Sequence, residues 1–231
     1  MHMSIDYFNS KYLPEEKTEY VCIIDILGTK EKMKASIHHA ANYIFKLHAT
    51  ILGCWRELKY RDISVYPIMD GAYITASDKN HMLSLVSDIF KHLVSYLFKH
   101  DFKYWYLVRC SIAYGQTIHG RDIPYMASNE FEARVGYKEQ LLIGSAMIAA
   151  YYGEGKAAPM GVYIDDSAHD IPNDWKWYSG FQDKVKDWSV RQFKVKIQNY
   201  YDWLGNHNND KEYPAEKLAK HIELIKTYFE V

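Results

Sequence analysis

The sequence predicts an α+β fold: a mainly antiparallel sheet flanked by helices, followed by a helical C-terminal extension. Three observations predict it. Strand-type and helix-type segments alternate along the chain up to about residue 170. Two short strand-type runs are joined by Met69-Asp70-Gly71, and Asp-Gly is a favoured hairpin pair. From about Pro172 the texture changes to Trp- and Lys-rich segments. We therefore divide the chain into a domain over 1–170 and an extension over 171–231 packed on the same domain.

The elements follow in order. Tyr20 to Leu27 is a continuous, β-branched apolar run stopped by Gly28, which suits a buried strand. Lys30 to Leu52 places Met33, Ile37, Ala40, Ala41, Ile44, Leu47 and Ile51 at helical spacing, with Thr29 as a cap. Ile63 to Ile68 and Ala72 to Thr75 form the hairpin, and Leu83 to Phe98 repeats as a second helix. Tyr104 to Tyr114 reads as a long strand ending at Gly115, and Gln116 to Lys138 as a loop. Glu139 to Tyr152 is expected to be a helix with a small apolar face, stopped by Gly153 and Gly155. Met160 to Ile164 reads as a strand, Asp202 to Pro214 as a polar loop, and Ala215 to Phe229 as a terminal helix.

Composition narrows the function classes. In 231 residues, 28 Lys and Arg face 29 Asp and Glu, a net charge of −1 that gives no broad attraction to nucleic acid or anionic membrane. Three widely spaced cysteines are a poor disulfide framework, and Cys22 and Cys110 sit in apolar runs as small hydrophobes. Met1 to Asp6 lacks a signal-peptide pattern, and no window approaches the roughly 20 apolar residues of a membrane span. The expectation is a cytoplasmic protein without direct membrane insertion. The aromatic, basic stretch Trp175 to Tyr178 with Trp188 reads as core or dimer contact, because a nucleic-acid stacking surface also needs a continuous basic groove.

Two carboxylates carry the chemistry. Asp25 lies inside the first apolar strand, where a charge is expensive unless paired or metal-bound. The alternatives are a metal ligand, an acceptor of backbone N–H groups, or a partner of Arg109. Asp70, at the hairpin tip, is explicable by turn chemistry alone. If the two strands are neighbours, both carboxylates share one sheet edge, and hard oxygen ligands suit Mg²⁺ or Mn²⁺. The Gly28-Thr29-Lys30 turn just beyond Asp25 offers backbone N–H groups for phosphate, although P-loop spacing is absent.

Asp25-Ile26-Leu27-Gly28-Thr29, then Pro67-Ile68-Met69-Asp70-Gly71, then Val108 to Gly115 resembles the class III nucleotidyl cyclases. Gly144 to Tyr151 looks like that family's interfacial helix, and the resemblance spans about residues 18–166 in the family's order. The D-I-L-G-T wording is most similar to the pyrimidine cyclases of Pycsar antiphage systems. The resemblance implies a ferredoxin-like core and a homodimer with sites between subunits. It implies two Mn²⁺ or Mg²⁺ ions per site, held by Asp25, Asp70 and the Ile26 carbonyl. The turn Ile26, Leu27, Gly28 and Thr29 would hold the triphosphate. Tyr66 occupies the position where purine cyclases often carry a base-reading lysine, four residues before the second aspartate. It is either a pyrimidine contact or a plain sheet aromatic.

The sequence departs from the family on the interfacial helix. The usual Asn and Arg, offered by the partner subunit, are replaced by Met147 or Ile148 and Tyr151 or Tyr152. A substitute cation is expected from Arg121, Arg134 or Lys138, with Arg134 preferred. The expected activity is conversion of UTP to 3′,5′-cyclic UMP and pyrophosphate, a second messenger read by a separate effector in antiphage defence. CTP or ATP as substrate, and an inactive nucleotide- or partner-binding module, are the alternatives. Arg109 is expected to be structural.

Overall fold

The computed structural model describes residues 8–58, 62–180, 188–207 and 215–230. The strands are β1 (Lys17–Ile26), β2 (Ser64–Ile68), β3 (Gly71–Ala76), β4 (Val108–His119), β5 (Leu142–Gly144) and β6 (Val162–Ile164). The α-helices are α1 (Thr29–Ala35), α2 (Ile37–Leu58), α3 (Lys79–Phe98), α4 (Asn129–Ala133), α5 (Val135–Lys138), α6 (Ser145–Glu154), α7 (Val190–His207) and α8 (Ala215–Phe229). The sheet runs β2-β3-β1-β4-β5 in antiparallel pairs, with β6 beside β4 in parallel. The helices between β1 and β2 and α3 between β3 and β4 make this a ferredoxin-like core. The expected α+β class with a helical C-terminal portion is the observed one.

Strand periodicity explains which residues the sheet hides. Tyr20, Cys22, Ile24 and Ile26 of β1 enter the main core with Leu47 and Ile51 of α2 and Ile89 and Leu93 of α3. Val21 and Ile23 point to the other face, against Ala146 and Ala150 of α6 and Tyr66 and Tyr73. Full burial of each such side chain contributes about 1.5–3 kcal/mol. Asp25 continues the Val21–Ile23 series, so period two places it on the thinner second face, at the end of the strand.

Residues beyond 171 complete the main core. Trp177 stacks on Phe90 with ring centroids 5.3 Å apart and donates its indole N–H to the Met160 carbonyl at 2.8 Å. Trp188 donates to Ser95 Oγ at 2.9 Å. Both rings are buried, as the core reading of this aromatic stretch expected. Phe193 and Ile197 of α7 and Ile225 and Phe229 of α8 lie in the same cluster.

Several boundaries differ from the sequence reading. The long first helix is two helices, because Ser36 is extended (φ −161°) and ends α1. The strand expected from Tyr104 starts at Val108, since Phe102–Tyr104 forms a 3₁₀ turn. It also runs past Gly115 to His119, so the expected loop is strand at its start and holds α4 and α5 at its end. The helix expected from Glu139 starts at Ser145, because Leu142–Gly144 pairs with Thr117–His119. Its small residues face inward: Ala146 and Ala150 are buried against the chain's own sheet, leaving Ile148, Tyr151 and Tyr152 exposed. The expected loop from Asp202 is helical through His207; 208–214 lies outside the described residues, as does the N-terminal stretch Met1 to Asp6.

Candidate active site

The end of β1 and the tip of the β2–β3 hairpin bring Asp25 and Asp70 together. Asp25 pairs in register with Gly71 on one side and Arg109 on the other. Gly71 is required here, because a Cβ at that position would lie 2.2 Å from the Ile24 carbonyl oxygen. The glycine lets the hairpin close onto β1, which carries Asp70 to Asp25. After β1 the chain turns at Gly28, in the left-handed region (φ 76°), and enters α1. Thr29 Oγ1 donates to the Ile26 carbonyl at 3.2 Å and fixes the turn.

Asp25, Ile26, Leu27, Gly28, Thr29 and Asp70 line one open cleft of about 370 Å³, with Lys30, Glu31, Arg109 and Lys217. Burial, then the Asp70 carboxylate, then Glu154 push the Asp25 carboxyl up to about 7, against the opposing pull of Arg109. Arg109 Nε lies 2.5 Å from Glu154 Oε1, without hydrogen-bond alignment. The ion pair that β4 makes is therefore with α6, and Asp25 receives only the field of Arg109. Glu154 is raised as well, by burial first, with Arg109 opposing and Asp70 adding. A half-buried carboxylate pair of this kind is one cation short.

A divalent ion fits that deficit. The donors are all oxygen: two carboxylates and the Ile26 carbonyl, which keeps a lone pair beyond its bond from Thr29. No cluster of three or more His, Cys, Asp or Glu side chains occurs among the described residues. The remaining coordination would have to come from ligand or water oxygens.

The other expected site residues are placed differently. The Leu27 amide donates to the Leu107 carbonyl at 2.8 Å, and the Leu27 side chain is core. Any phosphate contact from the turn would therefore have to come from the Gly28, Thr29 and Lys30 amides. Tyr66 is on the Asp25 face of the sheet, but is only 4% exposed, and its hydroxyl bonds to His119 Nδ1. His119 Nε2 meets Glu19 Oε2 at 2.5 Å, and Thr117 Oγ1 donates to the same oxygen at 2.7 Å. Arg134 is exposed at the junction of α4 and α5, and Lys138 Nζ donates to the Ile123 carbonyl at 2.8 Å. Neither these two nor Arg121 lines the cleft of this chain. Sequence reasoning missed Glu154 and Lys217. A carboxylate closing a small-residue helix was the signal for Glu154; Lys217 had none.

Neither a family model nor a curated protein matches the sequence. Solved structures do. A double mutant of the guanylyl cyclase domain of the RhoGC fusion protein from the aquatic fungus Blastocladiella emersonii aligns with a TM-score of 0.51 at 12% identity, over 68% of this chain and 85% of that one. The adenylate/guanylate cyclase/hydrolase from Silicibacter pomeroyi aligns with a TM-score of 0.48 at 14% identity, over 69% and 82%. The first of these establishes that the two chains share a fold. No helix among the described residues is long and apolar enough to cross a membrane.

Proposed function

We propose that this protein is a nucleotidyl cyclase with a pyrimidine substrate, converting UTP to 3′,5′-cyclic UMP and pyrophosphate. The observation that carries the reading is the Asp25–Asp70 pair beside the Gly28 turn, on a sheet shared with a guanylyl cyclase domain. The catalytic unit is 1–170, and 171–231 is its extension. Asp25, Asp70 and the Ile26 carbonyl would hold two Mn²⁺ or Mg²⁺ ions. Bound there, such ions lower the pKa of an attacking hydroxyl and neutralise polyphosphate charge. The amides of Gly28, Thr29 and Lys30 orient the phosphates. The ribose 3′-hydroxyl gives its proton to solvent, its oxygen forms a bond to the α-phosphorus, the bond from that phosphorus to the bridging oxygen breaks, and pyrophosphate leaves with that electron pair.

The pyrimidine assignment rests on Tyr66, four residues before Asp70. If His119 donates from Nε2 to Glu19 and accepts at Nδ1 from the Tyr66 hydroxyl, the phenolic oxygen keeps lone pairs for a base N–H. The active form is a homodimer in which Arg134 of a second copy supplies the transition-state cation. Exposed Ile148, Tyr151 and Tyr152 support a covered face there. The cyclic product acts as a second messenger in antiphage defence, read by a separate effector, and the enzyme works in the cytoplasm. The missing Asn and Arg on α6 favour a second reading, a module that binds nucleotide without turnover.

The test is incubation with Mn²⁺ and each of the four ribonucleoside triphosphates, with products read by mass spectrometry. Cyclic UMP is expected; cyclic AMP or GMP would overturn the Tyr66 assignment, and no product from a folded dimer supports the binding module. Tyr66→Lys is expected to change the preferred nucleotide while leaving Mn²⁺ binding intact. An unchanged preference contradicts the base contact.

A further inference from the structure

The C-terminal extension reaches the cleft. Helix α8 docks through a stripe in which His221, Ile225 and Tyr228 are buried, at spacings of four and three. Lys217 stands one turn before His221 on that stripe, so its side chain leaves the helix on the side that faces the domain. It lines the same cleft as Asp25, Asp70 and the Gly28 turn. Its charge is felt by Glu154, whose carboxyl it pulls down, and by His221. His221 is itself held neutral near pH 7, chiefly by burial, so the charge that this stripe brings to the cleft is that of Lys217.

Three cations line the cleft: Lys30, Arg109 and Lys217. Arg109 is engaged by Glu154 at 2.5 Å on the floor. Lys30 sits on the phosphate-turn side, two residues past Gly28. Lys217 comes from a different element, α8, and lines the cleft from its solvent-exposed side. A cation so placed suits the part of a nucleotide that carries the most charge and extends furthest from the base.

Resting on the cyclase reading above, we propose that Lys217, supplied in cis by the C-terminal extension, binds the polyphosphate end of the nucleotide and holds the leaving pyrophosphate. The extension is then a working part of the site as well as a wall of the core. Because Lys217 is exposed, replacing it is expected to leave the fold intact.

The experiment is calorimetric titration of inorganic pyrophosphate in the presence of Mn²⁺ into the full chain. Wild type, Lys217→Met, Lys217→Arg and Asp25→Asn are compared, and the melting temperature of each is recorded. Lys217→Met keeps the aliphatic stem and removes the charge. Its affinity for pyrophosphate is expected to fall about tenfold, the value of one charge-assisted contact, with melting unchanged and Lys217→Arg restoring most of the binding. Wild-type affinity in Lys217→Met, with binding lost in Asp25→Asn, overturns the role of Lys217 and leaves the metal and polyphosphate reading standing. Failure of wild type to bind pyrophosphate, or equal binding by all four proteins, overturns the reading of the cleft itself. A loss in Lys217→Met that follows a fall in melting temperature and is not restored by Arg assigns the residue to packing and overturns the proposal.

Discussion

Two polar constellations share one face of the sheet, and they differ in whether their charges are matched. Glu19, near the start of β1, is nearly enclosed; burial pushes its carboxyl up, but His119 and Thr117 more than compensate, and it ends below the usual range. Every member there has a partner within the chain: Glu19 with Thr117 and His119, and His119 with Tyr66. Asp25, at the far end of the same strand, has a second carboxylate for a neighbour and only the field of an arginine already engaged by Glu154. A matched cluster holds a fold together, whereas a mismatched one stores a deficit that a ligand can fill. The difference separates a charge-matched cluster from a candidate site; Tyr66, proposed above as the base contact, belongs to the matched cluster and has only a hydroxyl lone pair left to offer.

The largest expected effect is on turnover. Asp25→Asn or Asp70→Asn should lower cyclic-nucleotide production by about a thousandfold or more, the scale of losing metal-assisted phosphoryl transfer. The same substitutions should not lower the melting temperature of the metal-free protein at pH 8, because each removes like-charge repulsion. A substantial fall in melting would place Asp25 in the matched class. The opposite is expected of His119→Ala, which strands a buried carboxylate and a phenol: denaturant titration should show a loss of about 3 kcal/mol.

A third effect concerns the extension. His221 is pushed down to about 4 by burial, then by Lys217, Arg109 and Lys220, from an ordinary 6.5. Its ring meets the Tyr201 hydroxyl at 3.3 Å. Because the folded-state value lies below the unfolded one, the unfolded chain takes up the proton first on acidification. Stability present above pH 6.5 is therefore lost as the pH falls towards 4, by on the order of 2–3 kcal/mol. His221→Gln should flatten that part of the stability–pH curve; an unchanged slope contradicts the assignment. The smallest effect is that of Thr117→Val, which removes one of the two bonds to Glu19 Oε2 and should cost about 1 kcal/mol in denaturant titration.

What the sequence made legible follows from the range of the interactions. β1 and the Asp70-Gly71 hairpin are local signals, and the approach of Asp25 to Asp70 follows once β1 and β3 are paired. β5 was hidden because three residues carry no period, and the start of α6 was displaced with it. The split at Ser36 was masked by apolar spacing that continues through it. Arg109 was correctly suspected of an ion pair, but the partner lies 45 positions along the chain and no pattern within β4 indicates it. Lys217 is further still, joined to the cleft only by the docking of α8. Tyr66 illustrates the converse: its position in the motif was readable, whereas its commitment to His119 needed the curl of β4 to become visible.

The claim that the Asp25–Asp70 pair is a metal site is tested most directly by Mn²⁺ titration, followed by electron paramagnetic resonance, of wild type, Asp25→Asn, Asp70→Asn and Glu19→Gln. The account predicts saturable binding to wild type and Glu19→Gln, and none to either cleft variant. Binding that survives both aspartate substitutions, or wild type that takes up no Mn²⁺ with or without nucleotide, would contradict it.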